Sequence, residues 1–437
     1  MLSFLSHPRE ALLRLFPNFD HYLAGMSATA FAAPGIGIAV ALVTYMVRWD
    51  DQAQASGPLL PLVLGVLGSL IGWGCLALVA QWFVTIHRAN PSVYRELYSR
   101  FKLLKAQMVA LEAHYKQHAD EGIAYAWEEA CTYHARLEEA FEEKMAEPAP
   151  ASQGGPSVRD WVQGIGYIYV REQLHRAEEA LTLFTPVQTV LADAWLDEMR
   201  LNGSNIDNRA ELITQLQNAK KVLEQSAPGT LTEQFPAREK LRRVRRTINE
   251  FRDERRFGLV QARNRLMRTV TLTGYMGFLL VALPILVQVH RDRLTAAVAF
   301  YLVGAIIGLF NRLYLDAGTE VATEDYGLAT ARLLHTPLFS GLAALGGALI
   351  IPLLSGMASQ AMTQAPSTPA GTSVGLTLTN LLDLSDRPFG LVFAALFGLS
   401  PAVLLSRLQQ EAEQYKTDLK TSAAPNNRAA VSPPPSS

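Results

Sequence analysis

Two histidines four residues apart, His114 and His118, stand beside Glu112, Asp120 and Glu121, and that spacing on a helix sets two imidazoles where they can share a metal ion. Glu172 and His175 form the one Glu-x-x-His of the chain. A bundle di-iron centre needs two such motifs and two further carboxylates from other helices. The ligand set is therefore incomplete, and surface or seam positions account better for these histidines. Gly164-Ile165-Gly166 lacks the third glycine and the preceding strand of a dinucleotide fingerprint. Neither a Walker sequence nor a His-Glu-x-x-His occurs. Ser340 and Ser355 lie by glycines in an apolar segment that offers no histidine as base, which gives serine hydrolysis inside a membrane little support. Cys75 and Cys131 supply neither a disulfide framework nor a zinc cluster. The expectation is a non-enzymatic protein with no cofactor and no metal. A metal-dependent membrane enzyme built on His114, His118 and Glu172 stands as a distant alternative.

The densest charge feature runs from Arg238 to Arg268, where arginines outnumber Glu239, Glu250, Asp253 and Glu254. Beside a bilayer, each basic residue within reach adds about 1 kcal/mol of attraction to anionic lipid. Arg263, Arg265 and Arg268, next to an apolar segment, are the membrane-interface candidates. The remaining arginines read as a helix face paired with acidic neighbours such as Glu138 to Glu143. Asn311 and Arg312 end another apolar segment, and Asp316 follows Arg312 at a helical ion-pair spacing. These six residues are the interface and candidate gating set. Small residues four apart, Gly68 with Gly72, Gly304 with Gly308 and Ala343 with Gly347, let helix backbones approach closely in lipid and are expected at helix contacts.

The elements that position these residues follow from the charges. Lys and Arg total 39 against 40 Asp and Glu, a net charge of −1 that speaks against a nucleic-acid partner. Six uncharged segments are long enough to cross a hydrocarbon core about 30 Å thick: near 28–47, within 58–86, 269–290, 294–310, 338–357 and 388–405. The fold class is an all-α integral membrane protein of six transmembrane helices, with an elongated helical-bundle and coiled-coil domain inserted between the second and third. The expected organisation is an amphipathic interfacial segment at 1–27, retained and not cleaved, then a hairpin of spans at 28–86. The bundle follows at 87–268, a second hairpin at 269–313 and a loop at 314–337. Two last spans occupy 338–405 around a Ser/Thr/Pro-rich loop at 359–387, and 406–437 is a helix end and disordered tail.

Within the bundle, Tyr94, Leu97, Phe101, Leu104, Met108, Leu111 and Tyr115 repeat at steps of three and four, a heptad seam. A phase shift near His118 and Gly122 resembles a stutter and predicts a bend. A helix unbroken from Pro91 to Glu147 would be about 85 Å long. Only Gly258 interrupts the helical pattern between Ala237 and Arg268, so that helix is expected to run on into the third span. Basic residues flanking the second and third spans place 87–268 and both termini in the cytoplasm, with a bacterial inner membrane as the compositional fit.

The function expected from this layout is a homo-oligomeric membrane assembly whose bundle senses or recruits a cytoplasmic protein partner and couples to the spans, with pore gating as one form of coupling. Its other partners are membrane lipids, anionic lipid at the basic juxtamembrane helix in particular. A transporter for a neutral or lipid-like solute is the first alternative. Six spans predict that tags near Thr372 and near Asn426 report opposite faces of the membrane in an accessibility assay. Labelling of both from one side would contradict six spans.

Overall fold

The computed structural model describes residues 19–48, 59–83, 90–117, 121–141, 155–225, 231–317, 326–362 and 389–399, with residues 414, 415, 417–419, 421 and 422. Its helices in chain order are α1 (Phe19–Thr29), α2 (Ala32–Arg48), α3 (Leu59–Phe83), α4 (Pro91–Gln117), α5 (Glu121–Phe141) and α6 (Val158–Val162). They continue with α7 (Ile165–Leu181), α8 (Val187–Gly203), α9 (Arg209–Gln225), α10 (Leu231–Leu286), α11 (Arg291–Ala317), α12 (Leu328–Met362) and α13 (Phe389–Gly398). No strand occurs among the described residues. The chain forms two compact units, residues 1–84 with 262–410, and residues 85–261 with 411–437.

Four helical stretches are long and apolar enough to cross a membrane: Ala24–Val47, Leu59–Ala80 and Arg291–Tyr314 of the first unit, and Glu233–Leu286, which starts in the second unit and ends in the first. Helix α3 carries apolar side chains all round, and Val63, Leu67, Leu70 and Ile71 are exposed on it. Such a surface is unfavourable in water and at rest in hydrocarbon. The fifth and sixth apolar segments fall in α12 and α13, while residues 363–388 and 400–413 lie outside the described residues. So do residues 1–18 of the interfacial segment and everything beyond residue 422.

Helix α12 differs from the expected loop at 314–337 followed by a separate span. It starts at Leu328, after Tyr326 and Gly327 turn the chain with φ of 48° and 80°, and runs unbroken to Met362. Pro337 removes one backbone donor inside it without ending it. The turn between α10 and α11 is closed by the Tyr45 hydroxyl, which donates to the Val289 carbonyl at 2.7 Å. Tyr45 also joins Ala41, Ile285 and Leu294 in a buried apolar cluster.

In the second unit, the heptad seam of α4 is buried against the chain itself. Tyr94, Leu97, Phe101, Leu104 and Met108 are buried, and their partners come from α5. Phe101 meets Phe141 with ring centroids 5.1 Å apart, Lys105 pairs with Glu138 at 2.8 Å, and Tyr115 stacks on Trp127 at 4.9 Å. Contacts whose positions rise on one helix and fall on the other define an antiparallel hairpin. Among the described residues, α4 and α5 therefore do not form the single rod expected from Pro91 to Glu147, and the heptad seam packs within the chain. The phase shift near Gly122 marks a reversal, because each displaced stripe finds its apolar partner in the other.

Helix α7 lies against both α4 and α5. It is preceded by the one-turn α6, held by a reciprocal cap in which the Asp160 amide donates to Ser157 Oγ at 3.3 Å and the Ser157 amide donates to Asp160 Oδ2 at 2.9 Å. Gly164 at φ 82° separates α6 from α7. On the other side of the unit, Val190, Ala194 and Leu201 of α8 and Leu216, Ala219 and Leu223 of α9 bury against Leu241, Val244 and Ile248 of α10. A short stretch of the tail also belongs to this unit. Asp418 pairs with Arg255 at 3.0 Å, the Tyr415 ring occupies the space a side chain at Gly258 would need, and Leu419 is buried.

Arg238 of α10 seals the end of α7. Its guanidinium donates to the carbonyls of Thr182 at 3.0 Å, Leu183 at 3.3 Å and Thr185 at 2.6 Å, and to Gln234 Oε1 at 3.0 Å. These are the carbonyls a helix end leaves without intrahelical partners. Burial pushes the guanidinium down to about 10, so it stays charged at neutral pH. Arg238→Met is expected to lower stability by about 2 to 4 kcal/mol, because buried carbonyls lose a charged donor. Arg238→Lys should recover only part, since an ammonium cannot reproduce the planar fork. Thermal unfolding of the full chain in detergent, followed by circular dichroism, checks both.

Candidate functional site

The residues on α10 that face α5, α7 and α8 form a polar ladder at helical steps of three and four: Arg238, Arg242, Arg245, Asn249, Asp253 and Arg256. Arg242 pairs with Glu129 of α5. Arg245 pairs with Asp197 at 2.8 Å and Asp193 at 3.1 Å, both on α8. Asn249 donates to Glu179 Oε1 at 2.8 Å, and Asp253 meets His175 Nδ1 at 2.7 Å, both on α7. Arg256, 2% exposed, donates to Asp253 Oδ1 at 3.0 Å. An adjacent face of the same helix, about a quarter turn away, carries the apolar contacts to α8 and α9. Helix α10 is thus buried on a charged face and on an apolar face together.

A cleft of about 400 Å³ opens between α7 and α10, with Glu172, His175, Arg176 and Glu179 on one wall and Glu250, Asp253, Glu254 and Phe257 on the other. Burial pushes the His175 imidazole down, against the pull of Asp253. Burial works to raise the Asp253 carboxyl, but the His175 hydrogen bond and the charges of Arg256 and Arg171 hold it below the ordinary carboxylate range. The pair is therefore neutral imidazole and carboxylate, which makes Nδ1–H the donor to Asp253. This is the base-and-orienter half of an acid–base constellation. Among the described residues, the cleft walls contain no serine, threonine or cysteine to complete it. Among the described residues, no group of three or more His, Cys, Asp or Glu is arranged to hold a metal ion. What the geometry does is lock α7 to α10.

Glu172 reaches Arg176 at 4.0 Å, so the Glu-x-x-His motif divides its two residues between a surface pair and the ladder. The side chain of His114 and the whole of His118 and Asp120 lie outside the described residues. Glu138, expected opposite the arginine-rich stretch, pairs instead with Lys105. Arg263 is half-buried near Gly327, whereas Arg265 and Arg268 are exposed. Asn311 and Arg312 are half-buried, and the side chain of Asp316 lies outside the described residues.

The small residues sit where backbones come together. A Cβ on Gly68 would meet Val40 at 2.9 Å and one on Gly72 would meet Ile36 at 2.8 Å. Gly304 faces Ala344 and the Ser340 carbonyl, Gly308 faces the Ser340 hydroxyl, and Gly347 faces the Phe397 ring, each without room for a Cβ. Ala343 is half-buried on α12.

Sequence reasoning missed the ladder's true partners, which come from α5, α7 and α8. The signal available was the spacing of Arg238, Arg242, Arg245, Asn249, Asp253 and Arg256 along one face. It also placed Arg332 and His335 in a loop. They are 7% and 3% exposed inside the first unit, with His335 stacked on Phe339 at 4.0 Å. Compared with family models, curated proteins and solved structures, the chain finds no match.

Burial pushes the Glu179 carboxyl up to about 7, against the Asn249 hydrogen bond and the charges of Arg176, Arg246 and Arg242. The folded chain therefore keeps this proton to higher pH than the unfolded chain does, and stability falls as pH rises from the ordinary glutamate range through about 7. Glu179→Gln lacks that slope. The variant should match the wild type at acidic pH and exceed it above neutrality by on the order of 1 to 3 kcal/mol. Unfolding midpoints of both proteins measured across pH read the difference, and a difference independent of pH would contradict the assignment.

Proposed function

We propose that the chain is a non-enzymatic, six-span membrane protein whose helical unit outside the membrane senses or recruits a partner and couples that state to the spans. The observation that carries this reading is α10. One helix, Leu231–Leu286, holds both the polar ladder of the second unit and the buried residues Val270, Ala282 and Ile285 of the first. A ligand or partner that shifts the ladder register acts on a helix that is also part of the apolar core. Coupling of this kind needs two arrangements that differ in free energy at both places. In this reading the closed ladder is one of them, and the other is a state in which its contacts to α7 and α8 are released together.

Support for a partner comes from exposed apolar side chains in the second unit: Trp195 and Leu196 on α8, Val222 on α9, and Leu103 and Val109 on α4. In this reading the second unit lies in the cytoplasm, following the basic flanks of the spans. Subunits associate through the membrane helices, and a ring of four or more would make a central pore the coupled element.

Hydrogen exchange of α7 amides in nanodiscs of thin and thick bilayers tests the coupling. Protection of α7 should change several-fold with bilayer thickness, and the change should vanish when two glycines are inserted between Gln261 and Ala262. A wild type whose α7 protection ignores the bilayer would refute it.

A further inference from the structure

The first unit contains an apolar cavity of about 510 Å³, walled by α2, α10, α11 and α12. Ile38, Leu42, Val281, Leu338 and Leu342 contribute to its walls, and among the described residues Tyr301 is the one lining side chain with a polar atom. No hydrogen bond to the Tyr301 hydroxyl occurs among the described residues. The space has a sequence cause. Gly274 is filled against by Pro34 and Gly341 by the Tyr301 ring, but a Cβ on Gly35 would meet nothing within 4 Å and one on Gly277 only Ile38 Cδ1 at 3.7 Å. Gly35 and Gly277 both line the cavity.

An apolar cavity of this size stays dry and takes up apolar molecules small enough to enter it. Leu280 and Leu302, each 51% exposed, stand at its walls on helices that are apolar enough to span a membrane, so entry is from hydrocarbon. Tyr301 defines what enters. It lies ten residues along the spanning stretch Arg291–Tyr314, about 15 Å in from the end. A phenol at that depth seeks an acceptor inside the hydrocarbon, whereas the ester groups of phospholipids sit at the interface.

We propose that this cavity is a binding site for a compact, membrane-soluble molecule that carries a carbonyl-type acceptor on an apolar body, with the carbonyl accepting from the Tyr301 hydroxyl. Gly35 and Gly277 provide the volume, and the leucines of α12 provide the far wall. The site stands independently of the coupling reading above.

Benzophenone is a suitable probe, being apolar, carrying one carbonyl and inserting into neighbouring C–H bonds on irradiation. In proteoliposomes of the full chain, photolabelling mapped by peptide mass spectrometry should saturate at Ile38, Leu338 and Leu342. Labelling at Leu67 and Leu70 of α3, which are exposed, should rise without saturation. Gly277→Leu and Gly35→Leu fill the cavity from opposite walls and improve helix propensity, so each should abolish the saturable labelling while leaving that of α3 intact. Tyr301→Phe should raise the half-saturating concentration about fivefold, the worth of one hydrogen bond. Unsaturable labelling at all five positions, or saturable labelling that survives both glycine variants, would overturn the site in favour of ordinary bilayer chains in a groove. An unchanged half-saturation in Tyr301→Phe would overturn the carbonyl contact.

Discussion

A guanidinium taken out of water costs several kcal/mol unless its surroundings replace the lost hydration. Helix α10 does this at Arg238 and again at Arg256, both 2% exposed. The replacements differ. Arg238 is hydrated, in effect, by the carbonyls that α7 cannot satisfy itself, and Arg256 by a carboxylate that is already bound to His175. Arg238 solves a problem belonging to another element, while Arg256 steadies Asp253 of its own helix for the bond to His175, so a shift of either helix along the other would strand groups on both. Buried ion pairs contribute little net stability over apolar packing of the same shape. Their use here is selection of one register between α7 and α10, while Leu241, Val244 and Ile248 on the other face contribute the burial.

The apolar unit has no such driving force, since leaving lipid for a protein contact removes nothing from water. Its helices are held by closeness instead. Gly304 and Gly308 bring α11 onto Ser340 and Ala344 of α12, and Gly398 of α13 comes against Gly304. Dispersion summed over such contacts is the available attraction, and it falls steeply with any added radius. Glycine serves the opposite end at Gly35, where nothing stands within 4 Å, and at Gly277, which meets only Ile38. One residue type therefore produces both close backbone contacts and open space in this unit, and the difference lies in what stands opposite.

Hydropathy and charge made the helical class, the apolar stretches of α2, α3, α10 and α11, and the continuity of α10 legible, because each depends on residues near in sequence. The heptad seam of α4 was visible too, but a seam does not name its partner. Tyr94 and Phe101 could have faced a second chain, and they face Phe141 of the next helix. The ladder was illegible for the same reason: His175 and Asp253 stand 78 positions apart. Arg332 and His335 looked like loop residues because charge and imidazole ordinarily mark exposure, and only packing reveals that both are buried. A cavity is the least legible feature of all. It is made of residues that are small and of neighbours that are missing, and no spacing in a sequence encodes absence.

The tail contact through Tyr415, Asp418 and Leu419 has a consequence for how the chain is made. Residues 85–261 leave the ribosome long before residue 411 does, yet the two segments belong to one compact unit. Between them come the apolar helices of the other unit. Gly258 and Arg255 must therefore wait, uncovered, while α11, α12 and α13 are synthesised. Completion of the polar unit follows synthesis of the apolar helices, and until then the Arg255 and Gly258 face of α10 lacks its Asp418 and Tyr415 contacts.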